Sequence, residues 1–270
     1  MPAAGAMRTL KLTVAYDGTD FVGWQRQDNG VSIQQWIEEA LAPFEPDAPQ
    51  PLRIEGASRT DAGVHAAGQV ASVRVRFDHP VDAVRRALNI RLPTAIRVLS
   101  VEDAAPGFHA RFDARRKRYR YRINTAPVAS PLDRWFVWHV PRPCNVAAMR
   151  AAARVLVGCH DFASFQATGS SVVDTRRTVQ RVDIAETPDE LHIEVEGDGF
   201  LRHMVRIMSG SLVDVGLGTF PPDWMARARD ARDRRKAGRT APASGLILEQ
   251  VHYDATDDVP AAGPRAGNSC

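Results

Sequence analysis

Alternation opens the chain: in LKLTVAY, Leu10, Leu12, Val14 and Tyr16 fall on one side of an extended strand. The period then changes. Ile33, Trp36, Ile37, Ala40 and Leu41 recur at the i, i+3, i+4, i+7 and i+8 positions of one helical face, and Ser32 with Gln35 has capping-box spacing. Strands are predicted near 51–56 and 69–77, then a helix over about 81–91 with Asp82 as its cap, then a strand at AIRVLSV (95–101). This half reads βαββαβ.

The same order returns in the second half. A strand at RYRYRIN (118–124) precedes a helix over about 146–157 behind the cap Asn145, and strands follow at TVQRVDIA (178–185) and ELHIEVEG (190–197). A helix through FLRHMVRIMSGSLVDVG (200–216) and a strand at LILEQVHY (246–253) complete it, with one extra helix near 223–236 inserted between them. No residue-level repeat joins the halves, so the symmetry is one of element order. The pattern predicts an α+β fold of two ferredoxin-like (RRM-like) halves, residues 7–105 and 106–255, with a cleft between them. Residues 1–6 and 256–270 read as disordered tails.

Composition narrows the class. The chain has 270 residues, 44% of them hydrophobic and 25% charged, enough to bury a substantial core. It has no apolar run long enough to span a bilayer, and MPAAGAMRTL lacks the apolar core of a secretory signal, so a cytoplasmic protein without membrane attachment is expected. The three cysteines, Cys144, Cys159 and Cys270, form no CxxC pair and are odd in number, against a disulfide framework or a cysteine-rich metal site. Net charge is only +3, but arginine is concentrated. Arg111 to Arg122, RFDARRKRYRYR, carries seven basic residues against one Asp with three aromatics interleaved, and Arg227 to Arg239 carries seven more against two Asp. Dense guanidinium among aromatics suits phosphate backbones and stackable bases. An arginine-biased composition with solvated helix faces would produce the same clusters.

Walker A, GxSxG, HExxH and GxGxxG motifs are absent, and no histidine pair stands at ligand spacing with a carboxylate. One segment is unlike an ordinary connection. GASRTDAGVHAAGQ, residues 56–69, is rich in Gly and Ala, so another chain can approach its backbone closely, and it holds Arg59, Asp61 and His65. A lone Asp in such a loop is also a common turn-former.

This segment, extended to Val70, resembles the catalytic motif of the TruA family of tRNA pseudouridine synthases. Ser58 stands where that family usually has Gly. The resemblance continues through YDGTDFVGWQRQ (16–27), SIQQWIEEAL (32–41), NIRLP (89–93) and GFHARFDARRKRYRYRI (107–123). It extends in the family's order through CHDFASF (159–165), FLRHMVRIMSGSLVDVG (200–216) and ASGLILEQVHY (243–253). It implies isomerisation of uridine to pseudouridine at positions 38, 39 and 40 of the tRNA anticodon stem-loop, without metal or other cofactor, by a homodimer.

The resemblance also implies roles. Asp61 corresponds to the family's catalytic carboxylate, the nucleophile, although addition to base or ribose and action as a base at the sugar are both open to it. Arg206 corresponds to the arginine that pairs with that Asp, offsetting the desolvation that would raise its pKa. Tyr119 and Leu246 would pack on the uracil from opposite sides, and Arg59 would fill the space left by a flipped base or hold the adjoining phosphate. Arg111, Arg115, Arg116, Arg232 and Arg235 are the expected backbone contacts. Two other functions fit part of the sequence: a catalytically silent RNA-binding protein, and an Asp-dependent nucleoside hydrolase releasing free uracil. The first leaves the Arg-Thr-Asp loop unexplained.

Overall fold

A computed structural model describes residues 7–253, so both predicted tails, 1–6 and 256–270, lie outside the described residues. The chain divides into two compact units. The first takes the described residues up to Ala114 together with Leu248–Val251, and the second takes Arg115–Ile247 and His252 onward. The division therefore falls after 114, not after 105. Ala110 is fully buried and donates its N–H to Ser72 Oγ at 3.0 Å, which ties the segment after 105 to the first unit.

The first unit runs β1 (Arg8–Tyr16), α1 (Ile33–Leu41), β2 (Ile54–Gly56), β3 (His65–Val75), α2 (Val81–Arg91) and β4 (Ile96–Ala104). Its strands pair β4–β1–β3–β2, all antiparallel, with Leu12 opposite Ala71 on one side and Val101 on the other. Order βαββαβ with that pairing is the ferredoxin-like arrangement expected from the periodicity. Leu10, Leu12, Val14 and Tyr16 are all buried, as their alternation predicts, and face a core shared by Ile33, Ile37, Leu41, Val84 and Leu88. Truncating a fully buried leucine such as Leu12 to Ala should cost about 2–5 kcal/mol.

Two helix details depart from the pattern. Ser32 caps α1 by accepting from the Gln35 N–H, as predicted, but Trp36 stays half-buried while Glu38 goes into the core. Glu38 is tolerated there because it accepts from the Ile54 N–H at 3.1 Å and from Gln34 Nε2 at 3.0 Å, with Arg26 beside it. Asp82 is not the cap of α2: Pro80 holds that position with no side-chain bond, and Asp82 lies inside the first turn, paired with Arg85. The helix starts at Val81, one residue before the carboxylate, with Pro80 as the residue that precedes it.

The second unit contains β5 (Arg116–Asn124), β6 (Trp138–His139), α3 (Val146–Ala153), β7 (Gly158–Asp161), β8 (Arg176–Glu186), β9 (Glu190–Gly197), α4 (Met204–Gly216), α5 (Trp224–Asp230) and the first residues of β10 (Leu246–His252). Strands pair in the order β5–β9–β8–β7, with the two-residue β6 alongside the end of β5. β6 and β7 are too short to have shown any period in the sequence. Asn145 caps α3 as predicted, accepting from the Ala148 N–H at 3.0 Å, and the helix tightens into a 3-10 turn at Arg154–Leu156. The extra helix predicted over 223–236 is two pieces, because Arg232 turns left-handed at φ 50° between α5 and the turn Arg234–Lys236.

Candidate active site

The loop that carries Asp61 is shorter than its composition suggests, since β3 begins at His65 and leaves residues 57–64 as the connection. Within it Thr60 is buried, Asp61 half-buried and Arg59 exposed, so the two charged residues flank a side chain that points inward. The loop is held by neighbours that are distant in sequence. Gln69, fully buried on β3, acts as a substitute strand: its Oε1 accepts from the Ser58 N–H at 3.2 Å and its Nε2 donates to the Ser58 carbonyl at 2.7 Å. Tyr16 Oη shares a 2.7 Å hydrogen bond with Thr60 Oγ1.

The segment YDGTDFVGWQRQ lies alongside. Gly23 and Asp61 form an isolated antiparallel bridge, and the Trp24 N–H donates to the Thr60 carbonyl at 3.1 Å. Gly23 has φ 110°, and a Cβ there would stand 2.5 Å from the Thr60 oxygen, so the close approach requires glycine. His65, buried, accepts from the Gly18 N–H on Nδ1 at 3.1 Å and lies 3.1 Å from Asp17 Oδ1. Ser58, in place of the family's glycine, costs nothing conformationally: its φ is not positive, and both its backbone polar groups are bonded to Gln69.

Arg206, Tyr119 and Leu246 belong to the second unit. Every residue of α4 except Arg206 is buried, so the helix is a core element that carries two charged side chains, Arg206 and the buried Asp214. One stripe of α4 holds the chain at 238–241. Gly238 N–H donates to Ser211 Oγ at 3.0 Å, Arg239 pairs with the buried Asp214 at 2.6 Å, and Gly210 leaves room for the Arg239 backbone. Arg206 closes the series twice: its carbonyl accepts from the Ala241 N–H at 3.1 Å, and its Nε donates to the Ala241 carbonyl at 2.9 Å. With Nε committed to the backbone, the guanidinium plane is set.

Tyr121 Oη donates to the Pro242 carbonyl at 2.7 Å, and its ring packs where any side chain at Gly245 would stand. Burial pushes the Tyr121 phenol up from its ordinary range, against a smaller opposing effect of the nearby Arg206 charge. The chain from 238 to 245 is thus pinned at both ends before it delivers Leu246, buried, as the first residue of β10. Tyr119, two residues from Tyr121 on β5, is buried edge-on against Phe200, with ring centres 5.3 Å apart.

The expected RNA-contacting arginines separate into two kinds. Arg111 and Arg115 are exposed, and the Arg111 guanidinium lies 5.7 Å from the Phe112 ring centre. Arg116 pairs with Glu196 at 3.0 Å, one rung of a ladder in which Arg120 meets Glu194 and Arg122 meets Glu190 across β5 and β9. Much of the RKRYRYR charge therefore stabilises the sheet. Arg232 pairs with Asp161 at 3.1 Å and Arg235 with Asp233 at 2.8 Å. Burial works against the charged Asp161, but Thr175, the Ala163 N–H, Arg232 and Arg176 outweigh it and hold its carboxyl below the usual range. Among the described residues no group of three His, Cys, Asp or Glu side chains is placed to hold a metal ion, and no helix is long and apolar enough to cross a membrane.

Comparison with known proteins bears on the same segments. A family model described as tRNA pseudouridine synthase matches residues 12–113 and 152–254. The chain is 47% identical over 247 residues to tRNA pseudouridine synthase A of Pelobacter propionicus, covering 92% of this chain and 100% of that protein. It is 46% identical over 253 residues to the protein of that name from Syntrophotalea carbinolica, with 94% and 99% covered. A third, from Geobacter sulfurreducens, is 46% identical over 247 residues, with 92% and 100% covered. Matched in both units and across the full length of its relatives, the chain belongs to the tRNA pseudouridine synthase family, isomerases that convert uridine in tRNA to pseudouridine.

Proposed function

We propose that this isomerase acts on uridines 38, 39 and 40 of the anticodon stem-loop, with Asp61 as nucleophile and Arg206 as its ion-pair partner. The supporting observation is the support beneath Asp61: Gln69, Tyr16, Thr60 and Gly23 together hold eight loop residues in one conformation around a carboxylate. A turn-forming Asp needs no such framework. Preorganising a reactive group through its supporting residues is what holds a reacting geometry.

The reaction is balanced within one nucleoside. The N1–C1′ bond breaks, the uracil turns, C5 bonds to C1′, and the proton lost from C5 is matched by one gained at N1. The carboxylate works close to the sugar and base, with Arg206 as the cation that pairs with it. Tyr119 stacks on the uracil and offers its hydroxyl to the C5 proton, and Leu246 packs on the other side. Because the target lies in or beside a stem, the base must leave its stack, and Arg59 occupies the vacated space or holds the adjoining phosphate. Arg111, Arg115, Arg116, Arg232 and Arg235 contact the tRNA backbone. The protein works in the cytoplasm as a homodimer, with no metal or other cofactor.

Incubating unmodified tRNA with the purified protein, with and without EDTA, and digesting it to nucleosides tests this reading. Pseudouridine at positions 38–40 in both samples is expected. Free uracil would indicate a hydrolase, untouched uridine a binding protein, and modification confined to other positions would overturn the assignment of the site.

A further inference from the structure

One aromatic side chain in the first unit is held in solvent by a rigid loop. Phe112 is 74% exposed. The loop around it is closed by its own bonds. Asp113 Oδ2 accepts from the His109 N–H at 2.8 Å, the Asp113 N–H donates to the His109 carbonyl at 3.1 Å, and His109 Nδ1 accepts from the Arg111 N–H at 3.1 Å. Beneath it, Ala110 is fully buried and bonded to Ser72 of β3. These bonds fix the backbone that carries the ring.

The neighbours of the ring indicate what covers it. The His109 ring centre lies 4.3 Å from that of Phe112, tilted by 40°, and the Arg111 guanidinium stands 5.7 Å from the Phe112 centre. His109 uses Nδ1 as an acceptor, so its neutral ring carries the proton on Nε2 as a further donor. An exposed π-face beside a guanidinium and an imidazole N–H matches an unpaired base with its own phosphate: the base has a face to stack, and the phosphate takes the cation and the donor. A protein partner would more often meet a larger continuous apolar patch.

We propose that His109, Arg111 and Phe112 form a stacking platform for an unpaired tRNA base outside the reacting uridine's pocket. This rests on the tRNA-modifying function proposed above and adds a second point of contact to it. Its occupant is a single-stranded nucleotide of the anticodon loop, recognised by stacking without base-specific hydrogen bonds.

Tight binding of unmodified tRNA to Phe112→Ala, Phe112→Leu and Phe112→Trp proteins tests the platform, with a fully paired RNA duplex as control. Stacking predicts that Ala and Leu each weaken tRNA binding by about tenfold, that Trp restores it, and that duplex binding is unchanged. Thermal unfolding should be the same in all four proteins, since the ring is exposed. Equal tRNA affinity in Ala and wild-type proteins overturns the platform, as does restoration by Leu. A change in sedimentation of the free protein without a change in tRNA affinity would show a contact between copies and overturn it too. If the wild type makes no pseudouridine, the functional reading fails; if it does while Phe112→Ala binds normally, only the platform fails.

Discussion

Gln69 and Ser58 are joined by two hydrogen bonds, with the side-chain amide of Gln69 accepting at 3.2 Å and donating at 2.7 Å to the backbone of a residue eleven positions earlier. That reciprocal pair ties the Asp61 loop to the central part of β3. Gln69→Leu keeps the volume but removes both hydrogen bonds from the Gln69 amide to the Ser58 backbone. Stability should fall by about 1–3 kcal/mol. If the clamp positions Asp61, kcat should fall further than this destabilisation explains while tRNA affinity holds. Stopped or slowed turnover with unchanged binding is the signature to seek, and wild-type kcat in a destabilised Gln69→Leu protein would remove the clamp from catalysis.

Gly23 should tolerate no side chain. Its φ of 110° and the Thr60 oxygen 2.5 Å from a built Cβ place Gly23→Ala in strain and in collision at once. A left-handed non-glycine residue costs of order 1–3 kcal/mol before any clash. Chemical denaturation should show a lower midpoint, and pseudouridine formation at temperatures where the protein stays folded should be reduced. Wild-type activity and stability would mean that the loop relaxes without losing its function.

Asp61 and Arg206 are proposed as one functional unit, and a double-mutant cycle measures whether they are. Asp61→Asn should abolish turnover with tRNA binding near normal, because the arginines proposed to contact the tRNA backbone are other residues. If the two charges are paired, Arg206→Met should be more destabilising than the loss of its Ala241 bond alone, because Asp61 then loses its partner as well. The double variant should then be more stable than Arg206→Met. Strict additivity of the two single changes would separate the residues.

Tyr121 gives an alkaline test of the second unit. Burial raises its phenol above the ordinary 10.0, so the folded protein keeps a proton there that the unfolded chain releases. Stability from this group is complete below pH 10 and declines as pH rises above it. Tyr121→Phe loses the 2.7 Å bond to the Pro242 carbonyl, about 1 kcal/mol at neutral pH, but removes the alkaline loss. The stability gap between wild type and variant should therefore narrow from pH 8 to pH 11 in denaturant titrations. A constant gap would show that Tyr121 does not titrate differently on unfolding.

Salt dependence distinguishes the two kinds of arginine. Arg111 is exposed and faces an aromatic ring, whereas Arg235 is engaged with Asp233. Arg111→Gln should flatten the slope of log K against log salt by close to one phosphate contact, about 0.7–0.9. Arg235→Gln should change it less, because its charge is already partly neutralised. Equal effects would mean that Arg235 exchanges Asp233 for phosphate on binding.

The sequence by itself determined most of the elements and singled out the loop that carries Asp61. A period of two placed Leu10, Leu12 and Val14 in the core, a period near 3.6 found α1, and Ser32 and Asn145 were legible as caps because capping acts within three residues. The motif around Asp61 was readable for the same reason, being contiguous. Only the tertiary structure decided how the candidate residues are held. Gln69 on Ser58, Gly23 beside Asp61, and the stripe Arg206, Gly210, Ser211 and Asp214 under residues 238–241 each join chain segments far apart in sequence, where no local period records the pairing. Charge showed the same division. RKRYRYR looked like a surface for phosphate because composition counts arginines but not the Glu190, Glu194 and Glu196 that the neighbouring strand brings within ion-pair distance of them. Register, a property of two strands together, decided which of those charges are paired across the sheet.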